Sequence, residues 1–491
     1  MITRAHAWWR ALPSRLALPL LFVLAALPTT LLLAVLVPVG ETPDEVAHIL
    51  RADSVLHLQV LGERRPRLDE QGDPATDVGV QANFGLLPAG FTFNPGLKLA
   101  DKHMSRLLWE RMRHLPWADG PGFVSVPNTA AYSPLFYLPA AAGLGAGRAA
   151  GLLPYDAILV ARLVNALMFV AAGTVALLLA RRGRRLMFVA LTLPMTLSLA
   201  ASVNQDGLVI ASSVLAAALL SRGPRHGRSW WLGCVALAAV ILAKPPYLPV
   251  AAACAVLAWG TAPGRRTQIR AAGGLLVAAL PALVWTAIVT RWVAAPFVRG
   301  PARPAGPLWS GPAGTMFPTT NPGEQLGILL AHPRLFGTLP FETLAGDLRW
   351  FGLSTLGILG VLDWVLPEWM YLAWGLAVLV ALLADGLGTP DEAPGLPLWR
   401  AALLAGLVGI AAWAVFIAQY LSWTRVGEAL IDGVQGRYAL PLVAMLALAV
   451  PRVRVQGGAM LRRGLTVVPV GMALLDAVAL PVLTVWTYWM Y

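Results

Sequence analysis

Long apolar runs, each closed by a short polar break, fill most of the chain. The first, over 16–39, is almost uninterrupted. Comparable runs recur at 157–180, 186–201, 208–220, 230–243, 248–259, 273–292, 369–383, 401–420, 439–450 and 465–489. A helix needs about 20 apolar residues to cross the hydrocarbon layer, so the pattern predicts an all-α polytopic membrane protein of about 11 transmembrane helices. No short segment alternates apolar and polar residues at period two, which argues against a membrane β-barrel. Two polar stretches, 41–155 and 293–366, interrupt the series and read as long outer segments of a single transmembrane domain, 1–491. Within the first, 44–61 and 97–115 carry helical periodicity and predict amphipathic helices lying on the membrane surface. The apolar pieces 133–153, broken by Pro134, Pro139 and Arg148, and 351–366, which contains Asp363, read as interfacial or re-entrant segments held against protein.

Composition agrees with a membrane chain: 57% of residues are hydrophobic and only 13% charged, against about 25% charged in a soluble domain. The net charge of +12 is carried mostly by arginine. Its clusters (Arg181 to Arg185, Arg222 to Arg228, Arg265 to Arg270 and Arg452 to Arg463) lie between apolar runs, and Arg4, Arg10 and Arg15 precede the first. That is the distribution of short cytoplasmic loops, so the charge reports topology and excludes nucleic-acid binding. Cys234 and Cys254 sit inside apolar runs and read as small core residues rather than a disulfide or metal pair. The first run ends in Val37-Pro38-Val39-Gly40 without a small-residue cleavage site and reads as a retained anchor. No inverted repeat of the transporter kind is visible, and no phosphate-binding Gly-rich loop or serine-nucleophile elbow is present.

With the basic loops inside, the unusual polar motifs all fall on the outer side. Thr42-Pro43-Asp44-Glu45 has the form of a helix start, with Thr42 as N-cap and Glu45 completing a capping box. Asp44, His48 and Arg51 follow at i, i+4 and i+7 and project from one helical face. An anionic Asp44 can accept a proton from a hydroxyl as a general base or hold a divalent cation such as Mg2+ or Mn2+, which prefers oxygen ligands. His48 then serves as a hydrogen-bond partner or phosphate contact. Lys244, before Pro245-Pro246-Tyr247, reads as a snorkelling lysine or a phosphate-binding cation. Gln435-Gly436-Arg437-Tyr438 reads as an interfacial anchor or, through Arg437, as a bidentate phosphate clamp. Asn204 and Asp206 sit in a tight turn. Arg162 and Asn165 fall inside a span, where an arginine needs a partner, for which Asp206 is a candidate.

The ordered series Pro-Asp-Glu-x-x-His-x-x-Arg (43–51), Tyr132-Ser133-Pro134-Leu135-Phe136-Tyr137, Ala161-Arg162-Leu163-Val164-Asn165, Ser202-Val203-Asn204-Gln205-Asp206-Gly207, Lys244-Pro245-Pro246-Tyr247, Gly360-Val361-Leu362-Asp363 and Gln435-Gly436-Arg437-Tyr438 resembles a bacterial family of predicted membrane proteins of unknown function. That family is similar to the GT-C class of polyprenyl-phosphate-sugar-dependent glycosyltransferases. The resemblance implies a GT-C-like fold in the bacterial cytoplasmic membrane with its site on the outer face. It implies inverting transfer of a sugar from a polyprenyl-phosphate donor to a cell-envelope glycan or lipid-linked acceptor. Asp44, with Glu45 beside it, takes the catalytic position. Lys244, Arg437, Tyr438, His48 and Arg51 are expected at the donor phosphate, with Tyr132, Tyr137, Arg162, Asn204, Asp206, Tyr247 and Gln435 in support. The alternatives are a transporter or flippase of lipid-linked glycans, and a non-enzymatic protein of envelope assembly.

Overall fold

A computed structural model describes residues 14–68, 72, 74–259, 264–296, 298–388, 395–455 and 458–490. Arg4 and Arg10, part of the topology argument, lie outside the described residues. The chain is mostly helical. Among the described residues, six helices are long and apolar enough to cross a membrane: Leu16–Leu36, Pro154–Leu179, Arg265–Trp292, Glu368–Gly386, Leu398–Ser422 and Met460–Trp489. A seventh is reached if Pro194–Ala200 and Gln205–Leu220, bent by 116° at their junction, count as one broken span. The structure does not bear out a count of eleven. The shortfall has a simple cause: Gly227–Ala243, Pro245–Ala258 and Gly436–Ala449 are apolar helical stretches of fewer than 18 residues, short of the bilayer's hydrocarbon thickness. Pro194 at a helix start breaks the run after Leu193, because proline cannot supply the backbone donor a continuous helix needs.

Two threonines inside the first span are satisfied locally. Thr29 and Thr30 donate to the carbonyls of Ala25 and Ala26 at 2.6 and 2.7 Å, one helical turn back. Helices meet at small residues. A Cβ on Gly173 would sit 2.7 Å from the Phe22 ring, and one on Gly143 2.5 Å from the Ala161 backbone, so the absence of side chains sets how closely these elements approach. Cys234 and Cys254 face each other, both buried and free, at 3.6 Å.

The first outer segment differs from a pair of surface helices. Helix Glu45–Leu56 packs on a three-stranded antiparallel sheet, β1 (Glu63–Leu68), β2 (Pro74–Asn83) and β3 (Pro121–Ser125). Glu63 pairs with Gly79, and Gly79 with Ser125. Ile49, Ala52, Val78, Val80 and Val124 close a second apolar core here. The expected 97–115 helix is confined to Arg106–Arg113, capped by Ser105. The 133–153 piece forms helix Leu138–Ala149, packed back against Pro154–Leu179. In the second outer segment, helix Leu348–Leu356 stops before a small hairpin, Ile358–Leu359 against Trp364–Val365. The piece expected over 351–366 is therefore half helix and half turn.

Candidate functional site

The site begins with a backbone irregularity. Asp44 adopts the left-handed conformation, φ 61°, which Asp tolerates better than most residues. The helix consequently starts at Glu45 and not two residues earlier, and Asp44 is its N-cap without a side-chain capping bond. This replaces the expected capping box. It also separates the two neighbouring carboxylates completely.

Glu45 turns inward. Its carboxylate and the Arg162 guanidinium are both fully buried, with Nε to Oε1 at 2.7 Å and Nη2 to Oε2 at 2.6 Å. The same carboxylate accepts the Gly40 and Val203 backbone N–H groups at 3.0 Å each. Arg162 also donates to the carbonyls of Ala34, Val37 and Pro38. Arg162 is thus the partner of Glu45, not of Asp206. Glu45 has no free lone pair directed at a substrate, and its role is to fix the exit of the first span onto the following helices.

Asp44 turns outward, 42% exposed, into a cavity of about 520 Å³. His48, Tyr132, Asp206, Lys244, Tyr247, Gln435, Arg437 and Tyr438 line the same space. Arg437 Nη2 donates to Asp44 Oδ2 at 2.6 Å, and its Nη1 lies 3.8 Å from Asp206 Oδ2. Lys244 Nζ is 2.9 Å from Asp206 Oδ1. Four charges, two of each sign, therefore form one chain: Asp44, Arg437, Asp206, Lys244. Lys244 sits between the Tyr132 and Tyr438 rings, 5.3 and 5.2 Å from their centroids, within cation–π range. Tyr247 donates its hydroxyl to the Tyr438 carbonyl at 2.6 Å. Asn204 caps helix Gln205–Leu220 and donates to the Pro43 carbonyl at 2.9 Å, so the turn carrying Asp206 also holds the loop carrying Asp44. Asn165 donates to the Ser202 carbonyl of that turn.

Burial opposes ionisation of Asp44, but its neighbours, the Arg437 guanidinium foremost, together outweigh it and hold the carboxyl below its usual value. The group is an anion at neutral pH. His48 is pushed down to about 4 by burial, against the opposing pull of Asp206 and Asp44, and is therefore neutral. Its Nδ1 shares a 2.6 Å hydrogen bond with the Tyr137 hydroxyl, and its ring stacks between Tyr132 and Tyr137.

Arg51 does not join this group. It is wholly buried and donates to the carbonyls of Gln59, Val60 and Tyr132 and to Ser54. The helix ends at Leu56 and the chain doubles back through Leu58 at φ 63°, which brings those carbonyls onto Arg51. Tyr137 lies behind His48, buried, rather than in the cavity. The divalent cation does not fit this donor set. Both carboxylates are already bound to cations, and among the described residues no group of three His, Cys, Asp or Glu side chains is placed to hold a metal ion.

Sequence reasoning missed several residues that line the cavity: Gln419, Ser422, Trp423, Gly433, Thr320 and Asn128. Trp423 follows the last turn of a span, where a tryptophan reads as a membrane-belt residue. It also missed Lys102, a buried cation bonded to Glu41 and Asp363 at 2.7 Å each, which ties the first outer segment to the second. Next to the cavity runs an apolar groove of about 930 Å³, between Pro245-Pro246 and the Gly406, Gly409, Trp413 and Ile417 face of helix Leu398–Ser422. Pro245, Pro246 and Ala418 line both spaces. The helices that reach the cavity do so at one end: Lys244 follows Gly227–Ala243, Thr290 ends Arg265–Trp292, and Asp206 opens Gln205–Leu220. Arg222, Arg228 and Arg265 stand at their opposite ends.

A family model described as a predicted membrane protein (DUF2142) matches residues 27–446. No curated protein and no solved structure matches the chain.

Proposed function

The chain belongs to that family of predicted membrane proteins, and from the geometry of its cavity we propose that it is a GT-C-like glycosyltransferase. It moves a sugar from a polyprenyl-phosphate donor to a hydroxyl of a cell-envelope glycan or lipid-linked acceptor, with inversion. The carrying observation is that two unlike spaces lie side by side. A cavity holding the charged side chains Asp44, Arg437 and Lys244 adjoins an apolar groove along Leu398–Ser422, with Pro245, Pro246 and Ala418 lining both. A lipid-linked phosphate has that same division, a charged head and a long hydrocarbon tail. The basic residues at the opposite helix ends support a cavity on the outer face of the cytoplasmic membrane, by the positive-inside rule.

In the reaction, the acceptor oxygen attacks the anomeric carbon as the carbon–oxygen bond to phosphate breaks. The hydroxyl proton passes to the Asp44 carboxylate, and polyprenyl phosphate departs. A carboxylate held as an anion is a weak base towards a free hydroxyl. The proton becomes acidic only as the new bond forms, so transfer is late and concerted with attack. Arg437 and Lys244 face the developing phosphate charge, and such preorganised donors are usually the largest catalytic term. The Arg437 Nε–H is buried and without a hydrogen-bond partner, so the guanidinium retains one unsatisfied donor beyond its bond to Asp44.

Of the competing readings, a flippase of lipid-linked glycans expects ionisable residues near the bilayer midplane and internal repeats, and an envelope-assembly protein tolerates loss of Asp44, Lys244 and Arg437 together. The test is equilibrium binding of polyprenyl phosphate to the protein in lipid nanodiscs. Arg437→Gln should weaken binding roughly tenfold or more, the order expected for loss of a charge-assisted bond. Equal affinity in a folded variant would remove the phosphate site.

A further inference from the structure

We propose that Trp423, Gly433 and Gln435 form a seat for a pyranose or furanose ring in the cavity that Asp44 enters. The inference rests on the cavity being a sugar-phosphate site and names the part that holds the sugar. Trp423 is the C-cap residue of Leu398–Ser422, half-buried, and lines the cavity together with Gly433 and Gln435. Gly433 has φ 75°, and a Cβ there would fall 2.4 Å from Trp423 Cδ1 and 2.5 Å from its Nε1. Only glycine accommodates both the backbone conformation and the indole. Two bonds clamp the pair: the Asp432 N–H donates to Thr424 Oγ1 at 3.1 Å, and the Thr424 hydroxyl donates to the Gln419 carbonyl at 3.1 Å. The backbone segments carrying the indole and the glycine are thereby tied together before any ligand arrives.

A sugar ring offers an apolar C–H face and a rim of hydroxyls. The indole supplies a flat apolar surface for the first. Gln435 supplies an acceptor for the second: its Oε1 is buried and has no hydrogen-bond partner, a cost that a ligand hydroxyl would remove. A tryptophan serving only as a membrane-belt residue requires neither the glycine beneath it nor the unpartnered amide.

The test compares two probes in nanodiscs, bare polyprenyl phosphate and a panel of polyprenyl-phosphate hexoses and pentoses. At least one sugar-bearing lipid should bind more tightly than the bare one. Trp423→Ala should weaken that lipid roughly fivefold to tenfold and leave bare polyprenyl phosphate unchanged. Trp423→Phe should recover most of the loss, and Gly433→Ala should mimic Trp423→Ala. Weakening of both lipids alike, or of neither, overturns the sugar seat while leaving the phosphate site intact. Failure of every lipid to bind the wild-type protein overturns both.

Discussion

Neighbouring carboxylates with opposite duties make the sharpest perturbation available. Glu45→Ala removes four hydrogen bonds at once: two from Arg162, one from the Gly40 N–H and one from the Val203 N–H. Arg162 retains three backbone carbonyls but loses its counter-charge in a fully buried setting. Each buried donor left unpaired costs about 1–3 kcal/mol, and removing one partner of a buried ion pair costs about 3–5 kcal/mol. Water entering the vacated space offsets part of the sum, so the expected loss is about 3–5 kcal/mol, a large share of a typical folding stability. Thermal unfolding in detergent, followed by size-exclusion chromatography with fluorescence detection, reads the loss directly. A double change, Glu45→Met with Arg162→Leu, should regain a substantial part of it, because no unpaired charge is then left inside. A Glu45→Ala variant within about 1 kcal/mol of wild type would mean that Arg162 is satisfied by carbonyls alone and that the pair does not hold the first span in place.

His48 predicts a pH dependence. Its folded-state pKa is depressed to about 4 from the ordinary 6.5, so its contribution is complete above pH 6.5 and is lost as pH falls from 6.5 toward 4, where the unfolded chain binds a proton that the folded one refuses. The loss across that window is on the order of 3 kcal/mol. His48→Gln should flatten the stability profile there, and an unchanged slope would place the titration elsewhere.

Much of the site was legible because helices translate spacing into direction. Asp44 and His48, one turn apart, do line one cavity, and the ends of distant apolar runs bring Asp206, Lys244 and Arg437 to it. The same reasoning failed for Arg51 because its fate is decided by the chain reversal at Leu58, a non-local event that i+7 spacing does not encode. Glu45 was misread as a capping and catalytic residue because one left-handed residue, Asp44, shifts the helix start. The sheet was hidden because Glu63-Arg64-Arg65-Pro66-Arg67-Leu68 carries none of the alternation that marks a half-buried strand. Its pairing comes from β2, whose Val78 and Val80 supply the core. The span count was overstated because apolar composition marks burial in protein as readily as burial in lipid. Helix Gln205–Leu220, almost entirely enclosed by other helices, is the clearest instance.

Asp44 as the proton acceptor is the step on which the proposed transfer depends most directly. Wild-type protein in bilayers, supplied with radiolabelled polyprenyl-phosphate sugars and envelope extract as acceptor, should move label into a product. Asp44→Asn, which keeps the shape of the side chain, should stay folded with a stability loss of about 1–2 kcal/mol, because Asp44 is itself 42% exposed and the buried Arg437 keeps Asp206 as a counter-charge. It should also retain donor binding and lose transfer by at least about a hundredfold, the order of a general-base contribution. A folded, donor-binding Asp44→Asn protein that transfers sugar at the wild-type rate would contradict that role.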